Sequence, residues 1–152
     1  MNVIDQLKDI ADSYFNAYLP DGREIPVFEF NRFQMMFNLQ LPTDSPCSCM
    51  LKTKEGDLFL LVVMTSEVVK QLTPMEYTAI LWHELGHIMN GDIHEDTGFN
   101  RRVFDLEVAA DRVAVEYATL DGLTSALNKV VQINKISRDG INEIRMRIRA
   151  LI

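Results

Sequence analysis

The stretch Thr73-Pro74-Met75-Glu76-Tyr77-Thr78-Ala79-Ile80-Leu81-Trp82-His83-Glu84-Leu85-Gly86-His87-Ile88-Met89 carries its own start and stop signals. Thr73 is suited to cap the helix, Pro74 to open its first turn, and Glu76 to close a capping box. Gly91 lies just past the expected end, where a left-handed residue terminates a helix. Working downstream, a second helix fits residues 101 to 119, with Val103, Leu106, Ala110, Val113, Ala114 and Tyr117 toward the core, and Asp121-Gly122 ends it. Helical stretches at about 124 to 136 and 140 to 151 finish the chain, divided by Ser137-Arg138-Asp139-Gly140.

Working upstream, short Phe-, Val- and Leu-rich segments at about 26 to 30, 33 to 39, 47 to 53 and 57 to 64 are separated by Pro, Asp and Gly. They predict three or four strands of one antiparallel sheet. Lys54-Glu55-Gly56-Asp57 suits the hairpin turn before Leu58 to Met64. Apolar residues at 3, 4, 7, 10, 11, 14, 15 and 18 follow helical spacing, which predicts an N-terminal helix over residues 2 to 18, stopped by Pro20-Asp21-Gly22. The expected fold is α+β, a single domain over residues 1–152: an N-terminal helix, a small antiparallel sheet, the two central helices packed on it, and C-terminal helices.

Bulk properties narrow the function classes. A length of 152 residues with 47% hydrophobic and 24% charged composition is that of one globular domain. The longest apolar run, Leu58 to Met64, is seven residues, against about 20 for a membrane-spanning helix. The N-terminus lacks the basic start and apolar block of a secretory signal, and Cys47 and Cys49 are too close to staple a domain, so a cytoplasmic, reduced setting is expected. A net charge of −7 argues against a protein that grips phosphate backbones. Arg145, Arg147 and Arg149 alternate with apolar residues and read as a solvated helix face.

The chemistry concentrates in the opening stretch. With about 3.6 residues per turn, His83 and His87 share one helix face and can chelate one ion. Glu84 is turned away by about 100°, beside such an ion rather than on it, where it is placed to take a proton from an activated water. Two of the three histidines in the chain fall at this spacing. A zinc hydrolase needs a third protein ligand and an open position. Glu107 and Asp111 share a face of the second helix that can be turned toward the first, and the Val108-Ala109-Ala110 filling suits burial better than a solvated acidic stripe.

Together, His83-Glu84-Leu85-Gly86-His87 and Glu107-Val108-Ala109-Ala110-Asp111 resemble the gluzincin metallopeptidases, nearest to the CAAX-prenyl-protease and heat-shock-protease family and its small soluble relatives, the minigluzincins. The resemblance spans roughly residues 58 to 120. It implies His83, His87 and Glu107 as zinc ligands, Glu84 as general base, and Asp111 as support for a ligand histidine, in a peptidase that cleaves a peptide or protein substrate. The chain has no counterpart of the transmembrane helices of the larger members. The ImmA/IrrE-like peptidases, which act on repressors, are the runner-up affiliation. A non-catalytic zinc-binding interaction protein is the competing class, and the presence of Glu84 counts against it.

His94 is the rival third ligand by residue type. Its spacing from His87 misses the His-x-x-Gly-x-x-His pattern by one residue, so it is read as a loop histidine or a substrate-polarising cleft group. Asp92, Glu95, Asp96 and Asp105 read as solvated acids. Trp82 and the eight methionines read as packing. A latency role for Cys47 or Cys49 has no positional support. Leu58 to Met64 is expected at the edge of the cleft, binding substrate in extended form.

Overall fold

The structure is a computed structural model that describes residues 2–31, 47–93, 103–133 and 136–152. It is α+β. Its elements in order are α1 (Val3–Ile10), β1 (Ser13–Tyr18), β2 (Glu24–Asn31), β3 (Cys47–Thr53), β4 (Gly56–Thr65), α2 (Glu67–Gln71), α3 (Pro74–Met89), α4 (Phe104–Tyr117), α5 (Leu120–Ile133) and α6 (Arg138–Ala150). Contacts group them into two compact units, one ending its main run at Ser66 and the other beginning at Glu67.

In the first unit the N-terminal helix is shorter than its periodicity suggests. It stops at Ile10, and Ser13–Tyr18 is a strand paired antiparallel with β2. Aromatic side chains favour the pleated surface, and Tyr14 stacks on Phe28 at 5.6 Å. Pro20-Asp21-Gly22 therefore closes a hairpin rather than ending a helix. Gly22 has φ 89 and its N–H donates to the Leu19 carbonyl at 2.9 Å.

The sheet order is β1-β2-β4-β3. The second hairpin forms as read, with Thr53 opposite Gly56. However, β2 and β4 run parallel, Val27 opposite Leu61, so the sheet is mixed rather than antiparallel. β4 is an interior strand, paired on both sides, which removes it as an edge for substrate. The physical cause was visible in its composition. An unbroken apolar run, here buried from Leu60 through Met64, suits a strand covered on both faces, whereas an edge or half-exposed strand alternates. Leu7, Phe28, Phe30, Leu60, Val62 and Met64 form the core of this unit. The expected strand at 33 to 39 lies outside the described residues.

The second unit is helical. α3 starts as its sequence dictates: Glu76 N–H donates to Thr73 Oγ1 at 3.2 Å, and Thr73 N–H donates to Glu76 Oε1 at 2.8 Å. It packs most extensively on α4, then on α5. Gly86 permits the close α3–α4 approach, since a Cβ there would lie 3.0 Å from Val113 Cβ and 3.2 Å from the Ala110 backbone. On α4 the buried stripe is Glu107, Ala110, Asp111 and Ala114, while Val103 and Tyr117 are exposed, contrary to the apolar face read from sequence. Asp121-Gly122 belongs to the first turn of α5 and does not end α4. Ala79, Ala114, Leu123, Leu127 and Ile144 make the core, with Trp82 packed against it and stacked on Tyr117 at 4.8 Å. Each buried leucine contributes about 1.5–3 kcal/mol.

Candidate metal centre

Helical spacing puts both imidazoles of α3 on its buried side, facing α4. His87 is fully buried and His83 nearly so. Their Nε2 atoms lie 3.2 Å apart. From α4, Glu107 reaches both rings, Oε1 at 3.0 Å from His87 Nε2 and Oε2 at 3.4 Å from His83 Nε2. Glu84 Oε2 stands 3.5 Å from His83 Nε2. His83, Glu84 and His87 each offer a ligand atom, and these atoms all lie within 4.8 Å of one another.

The opposite ring nitrogens define the protonation pattern. His83 Nδ1 is 2.7 Å from Asp111 Oδ1, and His87 Nδ1 is 2.9 Å from Asp92 Oδ2. A carboxylate only accepts, so each Nδ1 carries the proton and donates it. The two Nε2 atoms then face each other and Glu107, an arrangement that a proton on Nε2 or a metal ion between them satisfies. A tetrahedral ion with bonds of about 2.0–2.1 Å holds its donors about 3.3 Å apart. The three spacings of 3.0, 3.2 and 3.4 Å fit that figure.

Charge around the rings points the same way. Glu84, Asp92, Glu107 and Asp111 surround them, and Arg147 is a counterweight. Its Nε and Nη2 donate to Asp111 at 2.9 and 2.7 Å, and Nη1 lies 3.3 Å from Glu107 Oε2. Burial pushes Glu107 and Asp111 up, but the histidines and Arg147 outweigh it and hold both well below the usual carboxylate range. Burial likewise opposes charge on His83, yet Asp111 and Glu107 raise it to about 9. The carboxylates around the rings outnumber the guanidinium beside them, which favours positive charge at the rings.

The family model described as Peptidase family M48 matches residues 52–138, more than half of the chain. The chain belongs to peptidase family M48. No curated protein and no solved structure matches it. As a member of this family the chain is a metallopeptidase of the hydrolase class, with a His83, Glu84 and His87 group able to hold a metal. No helix of the described residues is long and apolar enough to cross a membrane.

The structure brings together His83, Glu84, His87, Glu107 and Asp111, and His94 lies outside the described residues. Two residues at the centre were misread from sequence. Asp92, read as a solvated acid, is buried against His87. Arg147, read as part of a solvated face, is buried against Asp111 and Glu107. The signal for Arg147 was its place on the stripe Ile144, Arg147, Ile148 and Leu151, at core-facing helical spacing.

Proposed function

We propose that the chain is a zinc-dependent peptidase in which His83, His87 and Glu107 hold the ion, Glu84 is the general base, and Asp111 fixes the ring of His83. The observation that carries this reading is the convergence of His83 Nε2, His87 Nε2 and the Glu107 carboxylate at 3.0–3.4 Å. Two imidazoles and a carboxylate, with a position left open, are the ligand set of a zinc hydrolase rather than of a closed structural site. Bound zinc supplies a Lewis acid that polarises a carbonyl and makes water acidic near neutral pH.

The chain's own residues do the rest. Glu84 Oε2 sits beside the donor cluster, takes a proton from water as the water oxygen bonds to the scissile carbonyl carbon, and delivers that proton to the amine as the C–N bond breaks. Asp111, clamped by two guanidinium hydrogen bonds from Arg147, holds the Nδ1 proton of His83 so that Nε2 is free to bind. The HELGH and EVAAD pattern favours the minigluzincin branch of the family, and the family match favours it over the repressor-cleaving alternative. The substrate is a peptide or protein. The net charge of −7 supports a protein without a nucleic-acid partner, and the Cys47/Cys49 spacing a reduced, cytoplasmic one.

The test joins metal analysis of purified protein to a mass-spectrometric screen of peptide cleavage. Wild-type protein is expected to carry zinc and hydrolyse peptides. Glu84→Gln should keep the zinc and lose about 10²–10⁴-fold in rate, because the amide preserves shape without a basic oxygen. Near wild-type hydrolysis by that variant would sink the mechanism.

A further inference from the structure

Asp92 reaches His87 by a route that owes nothing to α4. α3 ends in a Schellman turn: Asp92 N–H donates to the His87 carbonyl at 2.9 Å and Gly91 N–H to the Ile88 carbonyl at 3.2 Å, with Gly91 left-handed at φ 72. That turn carries the chain back along the helix and sets the Asp92 carboxylate against the ring of the same residue, Oδ2 2.9 Å from His87 Nδ1. Both side chains are buried. A carboxylate is the wrong choice for a helix C-terminus, where the macrodipole is negative, and burial makes it worse. Stability alone would favour a neutral amide here.

We propose that Asp92 is a positioning residue for His87, holding its Nδ1 proton so that Nε2 is presented to the metal, with Gly91 setting the turn that makes this possible. The inference rests on the reading of His87 as a zinc ligand. The two histidines are then oriented independently: His83 by a carboxylate from α4, His87 by one five residues along its own strand of chain. The second arrangement uses only α3 and the turn that caps it.

Competition for zinc against a chromophoric chelator tests the proposal, with melting of the metal-free proteins as a check on folding. Asp92→Ala should bind zinc about 10- to 100-fold more weakly. Asp92→Asn should recover most of that loss, because its amide oxygen still accepts from Nδ1–H. Should Asp92→Ala not fold, Asp92→Ser, too short to reach the ring, replaces it. Nitrogen-15 shifts of zinc-loaded wild type should place the metal on Nε2 of His87. Wild-type protein that takes up no zinc overturns both this inference and the function it rests on. Zinc bound normally by wild type and by Asp92→Ala alike, an asparagine no better than alanine, or a metal on Nδ1 overturns the role of Asp92 and leaves the zinc reading standing.

Discussion

Two buried acidic clusters are built on α3, and they are resolved in opposite ways. Near its N-terminus Glu76, 1% exposed, meets a donor at every turn: the Thr73 backbone, the Ser125 hydroxyl, and Lys129 Nζ at 2.6 Å. Burial alone would raise its pKa, but the hydrogen bonds from Lys129, Ser125 and Thr73 overcome it and hold Glu76 at about 2. Lys129 is itself engaged further, donating to the Gln71 carbonyl at 2.8 Å. Two to three turns on, Glu107 faces the two Nε2 atoms at 3.0 and 3.4 Å, with Arg147 Nη1 3.3 Å to one side. A buried charge whose acceptors are all matched belongs to the scaffold. Lone pairs aimed at a common point are completed by something from outside, and that is what distinguishes a site from a staple.

The contrast breaks most sharply at Glu107. Glu107→Ala should abolish zinc retention, a larger loss than the roughly 10- to 100-fold expected of Asp111→Ala, while His94→Ala should leave zinc content nearly intact. Full occupancy in Glu107→Ala with loss in His94→Ala would reassign the third ligand. Arg147→Ala strands Asp111 and Glu107 in the interior and should destabilise the metal-free chain by about 3–5 kcal/mol in urea unfolding. Arg147→Lys should not restore it, because an ammonium cannot reproduce the two-pronged contact with Asp111.

Gly86→Ala sharpens the comparison from the side of packing. The new methyl meets Val113 and the Ala110 backbone, so α3 and α4 must part slightly, at about 1–3 kcal/mol, with weaker zinc binding in the same variant. A change in melting temperature without a change in zinc affinity would show that the helix spacing does not govern the centre.

The smallest effect belongs to the staple. On zinc affinity Glu76→Gln should have no effect; its cost falls on stability at neutral pH, where it leaves Lys129 without its charged partner. Because the folded pKa of Glu76 is depressed, its contribution is fully present above 4.5 and is lost as pH falls toward 2. Denaturation of wild type and Glu76→Gln across that window should converge at the acid end. A zinc affinity that followed Glu76 would erase the distinction between the two clusters.

Legibility followed the range of the interaction. The capping box at Thr73 and Glu76, the left-handed Gly91 and the hairpin at Gly56 were readable because each is settled within a few residues. The acids of α4 were readable as an inward pair because Ala109 and Ala110 leave no solvated stripe around them. One error came from letting one period speak for a segment: positions 14, 15 and 18 match a helix, yet pairing with β2 makes them a strand. Arg147 was misread for a related reason, since its charge outweighed its position on the stripe of Ile144 and Ile148. Asp92 was missed because a Schellman turn brings back a residue that sequence distance places beyond the helix.

The spacing of His83, Glu84 and His87, and with it the promise of a metal-holding helix, was determined by sequence alone, because helical periodicity places side chains four apart on one face wherever the helix lies. Which groups face those rings was not. That β4 is interior and parallel to β2, that Glu107 bridges the two Nε2 atoms, and that Arg147 crosses from α6 to Asp111 depend on residues 20 to 36 apart in the chain. Such contacts are chosen by packing, where a close approach at Gly86 decides as much as any charge, and no local pattern encodes them.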